Sequence, residues 1–309
     1  MAEHILVLTV DTDPDALSTQ HPDRRTLTWE GLDFAIAHFH AALPEWVFTW
    51  YVRADGQLEH AYGNTQYLLD THADFWRKAV AHGDELGWHP HLYTVPADDS
   101  VMPDIITDSR QATDALYRIW ADLQTADFEF ASFRMGEGWH TAQTLNTVES
   151  FGFTIDSTCI PERDDSATGH PRNWAGAPNQ PYYPAQDSTR KIGDPRPLLE
   201  IPMNSWVFKT SYDTAPKQRY MNPCIHPELW QQALSNWQAS LPNADNDTYI
   251  WTMILHPNEA MPHDEADLLY AYSLDAVRDN LNRLVDTIQA RGDSVRIMTM
   301  AQAANVWRT

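Results

Sequence analysis

The sequence predicts an α/β protein: a distorted (β/α)7-8 barrel in one domain spanning residues 1–309, with a long irregular loop at about 160–198. Three observations predict it. Short apolar runs alternate with stretches of helical periodicity, which implies a parallel sheet covered by helices. The alternation runs over seven or eight units in 309 residues, a length that suits a closed or nearly closed barrel better than an open doubly wound sheet. No glycine-rich phosphate loop interrupts it. Gly136 and Gly138 follow an apolar run but lack the third glycine of a dinucleotide-binding turn.

His4–Val10 is a continuous apolar run with β-branched residues, the pattern of a buried strand. Residues 11–27 hold Pro14, Pro22 and several aspartates and read as a loop. Trp29–Leu43 carries Leu32, Ile36, Phe39 and Leu43 at helical spacing, and Pro44 stops it. Trp46–Val52 is the next strand. Asp74–His82 is helical and closes at Gly83, and Leu86–His91 is the third strand. Ser109–Leu123 is helical through Leu116, Ile119, Trp120 and Leu123. Phe128–Arg134, Thr141–Phe151 and Phe153–Ser157 read as strand, helix and strand. Residues 160–198 are proline-rich without amphipathic period, although Trp174, Tyr182 and Tyr183 argue for order within them. Leu199–Met203 resumes as a strand, Pro227–Leu241 as a helix and Tyr249–Leu255 as a strong strand. Leu274–Ala290 is the clearest helix, with Ser273 as N-cap and Gly292 beyond its end. Val295–Met298 is a last strand before a short terminal helix.

Lys and Arg number 21 against 43 Asp and Glu, a net charge of −22. That balance argues against nucleic acid or an anionic membrane as partner. A hydrophobic fraction of 43%, with 13 Trp, 12 Tyr and 10 Phe, supports a sizeable core. Cys159 and Cys224 alone give neither a disulfide framework nor a zinc-finger spacing. The start, Met1-Ala2-Glu3-His4, lacks the basic and long apolar regions of a signal peptide, and no stretch approaches the ~18 apolar residues of a membrane helix. No membrane insertion is expected, and the cytoplasm is the expected location.

Four polar clusters close four of the apolar runs: Thr9-Val10-Asp11-Thr12-Asp13, Trp88-His89-Pro90-His91, Phe133-Arg134 and Leu255-His256. In a parallel barrel the C-terminal strand ends carry the active site. Asp11, Asp13, His89, His91, Arg134, Asp156 and His256 all fall at such ends. His89 and His91 share a face if the strand runs through both, and neutral imidazole is a common zinc ligand. Alone, the pair reads more readily as two packed histidines; the companion clusters favour a metal. Two histidines and one carboxylate leave coordination positions open for water and substrate. Trp88, Glu137 and Trp139 are candidate groove residues, since aromatic faces suit sugar rings.

In order and placement these clusters resemble the motifs of the polysaccharide deacetylase superfamily, the chitin-deacetylase-like carbohydrate esterases. The resemblance runs from Ile5 to the final helix. Thr9–Asp13 resembles the first motif, in which one Asp is the base and the next binds metal. Gly83–His91 resembles the second, which supplies two metal histidines. Phe133-Arg134-Met135-Gly136-Glu137-Gly138 resembles the third. Asp156 falls where a further family Asp would sit, and Met253-Ile254-Leu255-His256 resembles the last, which carries the general-acid His. Three departures stand out. Thr12 separates aspartates that are usually adjacent, the histidines are one residue apart rather than three, and Gly136 replaces a Pro. These departures resemble a divergent branch associated with bacterial surface-polysaccharide or O-antigen synthesis.

The resemblance implies a metal-dependent hydrolase that removes N-acetyl or O-acetyl groups from a sugar or polysaccharide intermediate. Asp13, His89 and His91 would hold a divalent ion, zinc first, with cobalt, nickel or manganese as alternatives. Asp11 would take the proton from water, Arg134 would orient Asp11, and His256, tuned by Asp156, would protonate the leaving amine. Two other readings stay open: an amidase acting on a small non-peptide C–N substrate, and a catalytically silent carbohydrate-binding barrel. The presence of both Asp11 and His256 speaks against the second, because binding needs neither base nor acid.

Overall fold

The first apolar run forms strand β1 (Glu3–Asp11), and the sheet is built around it. In the computed structural model, residues 2–15, 27–94, 104–240, 248–264 and 267–308 are described. The loop expected over 11–27 therefore falls partly outside them, as does Leu241. After β1 come helix α1 (Glu30–Ala42), strand β2 (Phe48–Arg53), helices α2 (Gly56–Tyr62), α3 (Tyr67–Thr71) and α4 (Ala73–His82), and strand β3 (Glu85–His89). Next are α5 (Ser109–Leu123), β4 (Ser132–Phe133), α6 (Ala142–Ser150), β5 (Ile155–Asp156), a hairpin of β6 (Pro184–Ala185) and β7 (Ser188–Ile192), and β8 (Leu199–Glu200). A second hairpin, β9 (Ser205–Phe208) and β10 (Lys217–Tyr220), leads to α7 (Pro227–Ser240), β11 (Thr248–Leu255), α8 (Pro257–Ala260), α9 (Leu274–Ala290), β12 (Ser294–Ile297) and α10 (Met300–Arg308).

The main sheet has the order β11-β1-β2-β3-β4-β5-β8, every pairing parallel, with β12 added beside the first half of β1. A lone parallel bridge between Met203 and Thr252 joins its two edges. The sheet is thus a curled, distorted (β/α) barrel. Strand alternation sorts its side chains onto two faces. Ile5 and Val7 pack with Ile155, Leu199, Ile201 and Ile250, and with Met300, Ala303 and Ala304 of α10. Leu6, Leu8 and Val10 pack on the other face with Phe39, Trp50 and Trp88 beneath the surrounding helices. The amide of Met300 donates to Thr49 Oγ1 and that of Ala301 to Glu85 Oε2, so α10 plugs the end of the barrel opposite the strand C-termini.

The expected elements form, with differences in extent. The strand read over Phe128–Arg134 pairs with β3 only at Ser132–Phe133, where Gly87 and Trp88 offer partners. Helices α2 and α3 were not expected. Asp55 starts α2 by accepting from the amides of Gln57 and Leu58, and the chain turns at Gly63 with φ of 71°. The 160–198 segment is organised: it holds the β6–β7 hairpin and a short 3-10 turn at Ser166–Thr168, and it buries Trp174 and Tyr182.

Candidate active site

Thr9 and Asp11 continue the barrel-facing row of Ile5 and Val7, so Asp11 arrives at the rim pointing inward. Thr12 turns the other way. Its hydroxyl donates to the Tyr51 carbonyl and accepts from the Arg53 amide, which ties the loop to β2. The inserted Thr12 therefore keeps Asp11 and Asp13 on one side of the chain. In β3 the same alternation directs Glu85 and His89 inward and Leu86 and Trp88 outward. The strand ends at His89 rather than His91. Pro90 has no N–H, and the His91 amide donates to Asp55 Oδ2 (3.1 Å) instead of to the sheet. That bond turns His91 back over the rim.

Three donor atoms converge there. His91 Nε2 lies 3.0 Å from Asp13 Oδ1, His89 Nε2 lies 3.7 Å from the same oxygen, and the two imidazole nitrogens are 3.2 Å apart. Ligands ~2.1 Å from a tetrahedral ion sit roughly 3.4 Å from one another. The donor set and its spacing fit a divalent cation held by Asp13, His89 and His91. The supporting shell fits as well. His89 Nδ1 donates to the Arg134 carbonyl (2.9 Å), which leaves Nε2 as the lone-pair nitrogen. His91 Nδ1 faces the Tyr93 hydroxyl at 3.4 Å and Glu137 Oε1 at 3.7 Å. Burial disfavours charge on Asp13, but His91 and then His89 outweigh it and hold the carboxyl well below its ordinary range. Burial likewise opposes protonation of His89, yet Asp11 and Asp13 raise its pKa.

On one flank sits Asp11. Arg134, fully buried, donates from Nη1 to Asp11 Oδ1 (2.5 Å) and to Thr9 Oγ1 (2.8 Å). Its Nε donates to the Ser157 carbonyl and its Nη2 to the Ser157 hydroxyl, while Tyr51 packs flat beneath the guanidinium. Four donations from one rigid fork fix one oxygen of Asp11. The other, Oδ2, lies 3.7 Å from His89 Nε2. On the opposite flank sits His256, at the end of β11, with Nε2 3.6 Å from Asp13 Oδ2.

The partner of His256 is Glu259, not Asp156. Glu259 Oε1 lies 3.0 Å from His256 Nδ1, and Oε2 accepts from the His256 amide (2.8 Å) and from Asn222 Nδ2 (2.7 Å). Burial lowers the His256 pKa, but Glu259 foremost, with Asp13 and Asp11, raises it to about 10. Asp156 points away from the barrel, to Thr158 and His140. Next to Ile155, which packs inside, it occupies the outer face by alternation. Its contribution is indirect, since Thr158 Oγ1, which donates to it, also accepts the Met135 amide beside Arg134. Sequence reasoning missed Glu259. The signal was His256-Pro257-Asn258-Glu259, a capping pattern with Pro at the first helical position and Glu at the third.

Two of the three groove candidates are not brought to the site. Trp88 is fully buried against Trp120 and Phe133, with its indole N–H on the Ala54 carbonyl. Trp139 is 2% exposed within the same outer core. Aromatic faces suit sugar rings, but alternation sends Trp88 to the face opposite His89. Glu137 does reach the rim, on a turn with φ of 59°, where its carboxylate accepts from Tyr93. Arg53 and Asp55, also missed, brace the centre. Arg53 is bonded to Asp55 (2.7 Å) and lies 3.4 Å from Asp13.

No protein-family model matches the sequence, and no curated protein matches it. Solved structures do share its fold. One, from Mycobacterium smegmatis and titled "putative polysaccharide deacetylase", aligns over 99% of this chain and 90% of its own, at 18% identity and a TM-score of 0.52. Another, from Parabacteroides distasonis and titled "putative glycoside hydrolase/deacetylase", aligns over 99% of this chain and 71% of its own, at 14% identity and a TM-score of 0.56. The chain therefore has the fold found in polysaccharide deacetylases.

Proposed function

We propose that the protein is a metal-dependent hydrolase that removes acetyl groups from the amine of an N-acetylated sugar or sugar polymer. The observation that carries this reading is the pairing of Asp11–Arg134 and His256–Glu259 on opposite sides of the Asp13, His89 and His91 triangle. A binding site needs a cleft and hydrogen bonds; it does not need a carboxylate and an imidazole, each with its own buried partner, across a metal-ligand set.

Asp13, His89 and His91 would hold a divalent cation, zinc being the best match to two imidazoles and a carboxylate. When bound, such an ion polarises a carbonyl and lowers the pKa of water toward ~7. Asp11 takes the proton of the attacking water through Oδ2, while Arg134 keeps Oδ1 in place. Water oxygen bonds to the acetyl carbon, the C–N bond breaks, and Nε2 of His256 delivers a proton to the departing nitrogen. Acetate and a free amine result. Glu259 holds the proton-bearing imidazole against the cost of burial. Glu137 at the rim is a substrate contact.

The leaving group would lie on the His256 side. Beyond Tyr220, whose ring is 6.4 Å from that of His256, lies a cavity of about 620 Å³ lined by Phe208, Tyr220 and Tyr270 together with Glu162, Arg163 and Asn222, with none of the candidate catalytic residues in its wall. Aromatic faces among charged groups suit a sugar.

The test is acetate release from N-acetylglucosamine oligomers by metal-loaded protein, beside Asp11→Asn. Wild-type turnover that falls by ~10²-fold or more in the variant supports the reading. Sugar binding without acetate release would establish the binding-barrel alternative instead. Turnover of small amides alone would establish the amidase.

A further inference from the structure

We propose that His40, His82 and Asp84 form a second divalent-cation site, at the end of the barrel opposite the candidate active site, which ties α1 and α4 to the start of β3. Asp84 Oδ2 lies 2.8 Å from His40 Nε2, and Asp84 Oδ1 lies 3.9 Å from His82 Nδ1. The three donor atoms are mutually within 4.8 Å. Asp84 is built in as a ligand would be. Its side chain is fully buried, and the Phe48 amide (3.0 Å, on Oδ1) and the Trp50 indole N–H (2.8 Å, on Oδ2) hold its two oxygens. Outer donors of that kind orient a carboxylate and leave each oxygen a lone pair.

The electrostatics call for a cation. The ion-pair partners that the described residues offer Asp84 are His40 and His82. Both imidazoles sit in the last turn of a helix, α1 and α4, so two negative helix ends meet at a buried carboxylate. The two rings are 4.5 Å apart, where two imidazolium charges repel but two neutral rings can share one ion. His82 is 47% exposed and His40 25%, which leaves the outer side free for water ligands and for loading from solvent. Two nitrogens and an oxygen suit zinc or a similar borderline ion better than calcium or magnesium.

Zinc titration of the metal-stripped full chain by calorimetry, with native mass spectrometry for stoichiometry, tests the site. The expected result is two ions for wild type, one for His82→Ala and one for His89→Ala. Zinc should also raise the melting temperature of His89→Ala but not of the double variant. His40→Gln serves as a second variant and should likewise bind one ion. One ion in wild type that His82→Ala retains overturns the proposal, as does a second step weaker than about 1 mM, an adventitious ion only. One ion that is lost in His82→Ala and kept in His89→Ala leaves this site standing and removes the Asp13, His89 and His91 centre instead.

Discussion

Replacing Glu259 with Gln isolates the device that sets the protonation of His256. Glu259 accepts three hydrogen bonds, two from His256 and one from Asn222. The Asn222 and His256 amide bonds both fall on Oε2, so the Gln carbonyl must take that place. Its amide N–H₂ then faces His256 Nδ1, which becomes an acceptor, and the ring proton moves to Nε2. The variant keeps the two Oε2 bonds and exchanges the charge-assisted one for a neutral bond of reversed direction, costing ~1–2 kcal/mol of stability. At ~2–4 °C per kcal/mol the melting temperature falls by several degrees and the fold persists. The catalytic loss is larger, because a neutral His256 holds one ring proton rather than two. General-acid catalysis is worth ~10²–10⁴-fold, and about 10² should vanish near neutral pH, close to 3 kcal/mol.

The pH dependence has a definite sign. His256 is raised above its ordinary pKa, so the pair stabilises the protein fully below about 6.5 and is lost as pH climbs through about 10. Glu259 is lowered, because His256 outweighs its burial, so its share is present above its ordinary pKa and lost in acid. In Glu259→Gln the alkaline limb of kcat/KM moves to lower pH. Steady-state acetate release across pH reads the limb, and NMR titration of the His256 ring in metal-stripped protein reads the pKa directly. A folded Glu259→Gln protein with kcat within about threefold of wild type and an unmoved alkaline limb would refute the assignment of His256 as acid.

The other predictions concern the metal triangle and its supports. A Cβ on Gly136 would lie 2.3–2.7 Å from Cδ2, Cγ and Nε2 of His91, so Gly136→Ala should displace that ring. Zinc affinity should fall ~10–100-fold with little change in circular dichroism. Arg134→Lys exchanges a four-bond fork for a point charge on a flexible stem. It should lower kcat by ~10²-fold or more and cost a few kcal/mol of stability in denaturant melts, since the site is buried. Metal content should be about one ion lower in both His89→Ala and His91→Ala than in wild type, by elemental analysis. Because His89 is raised by Asp11 and Asp13 and must be neutral to ligate, zinc binding should release protons and weaken as pH falls. Calorimetry in buffers of differing ionisation enthalpy measures that release.

Much of the candidate site was legible because it lies on strand ends. The run Ile5–Val10 specifies β1, whose alternation delivers Asp11 to the rim as that of β3 delivers His89, whereas Asp13 and His91 lie just beyond the strands and are placed by Thr12 and Asp55. The misreadings have one cause. In a parallel barrel both faces of every strand are buried, so hydrophobicity does not say which face looks inward. Asp156 stands at a strand end and Trp88 beside His89, yet each belongs to the outer face. Within β3 the choice was implicit once His89 was set inward, since Trp88 must then point out.

Tertiary structure decided what no local pattern holds. Arg134 meets Asp11 across 123 positions of sequence because β4 and β1 share one curled sheet. His91 is aimed by Asp55, a residue from the turn after a neighbouring strand. The sequence by itself determined the alternation of strands and helices, the residue types at the strand ends and the acidic charge, because these are short-range or compositional. Which strands became neighbours, and so which acid met which base, was decided only when the sheet curled and the Met203–Thr252 bridge joined its edges.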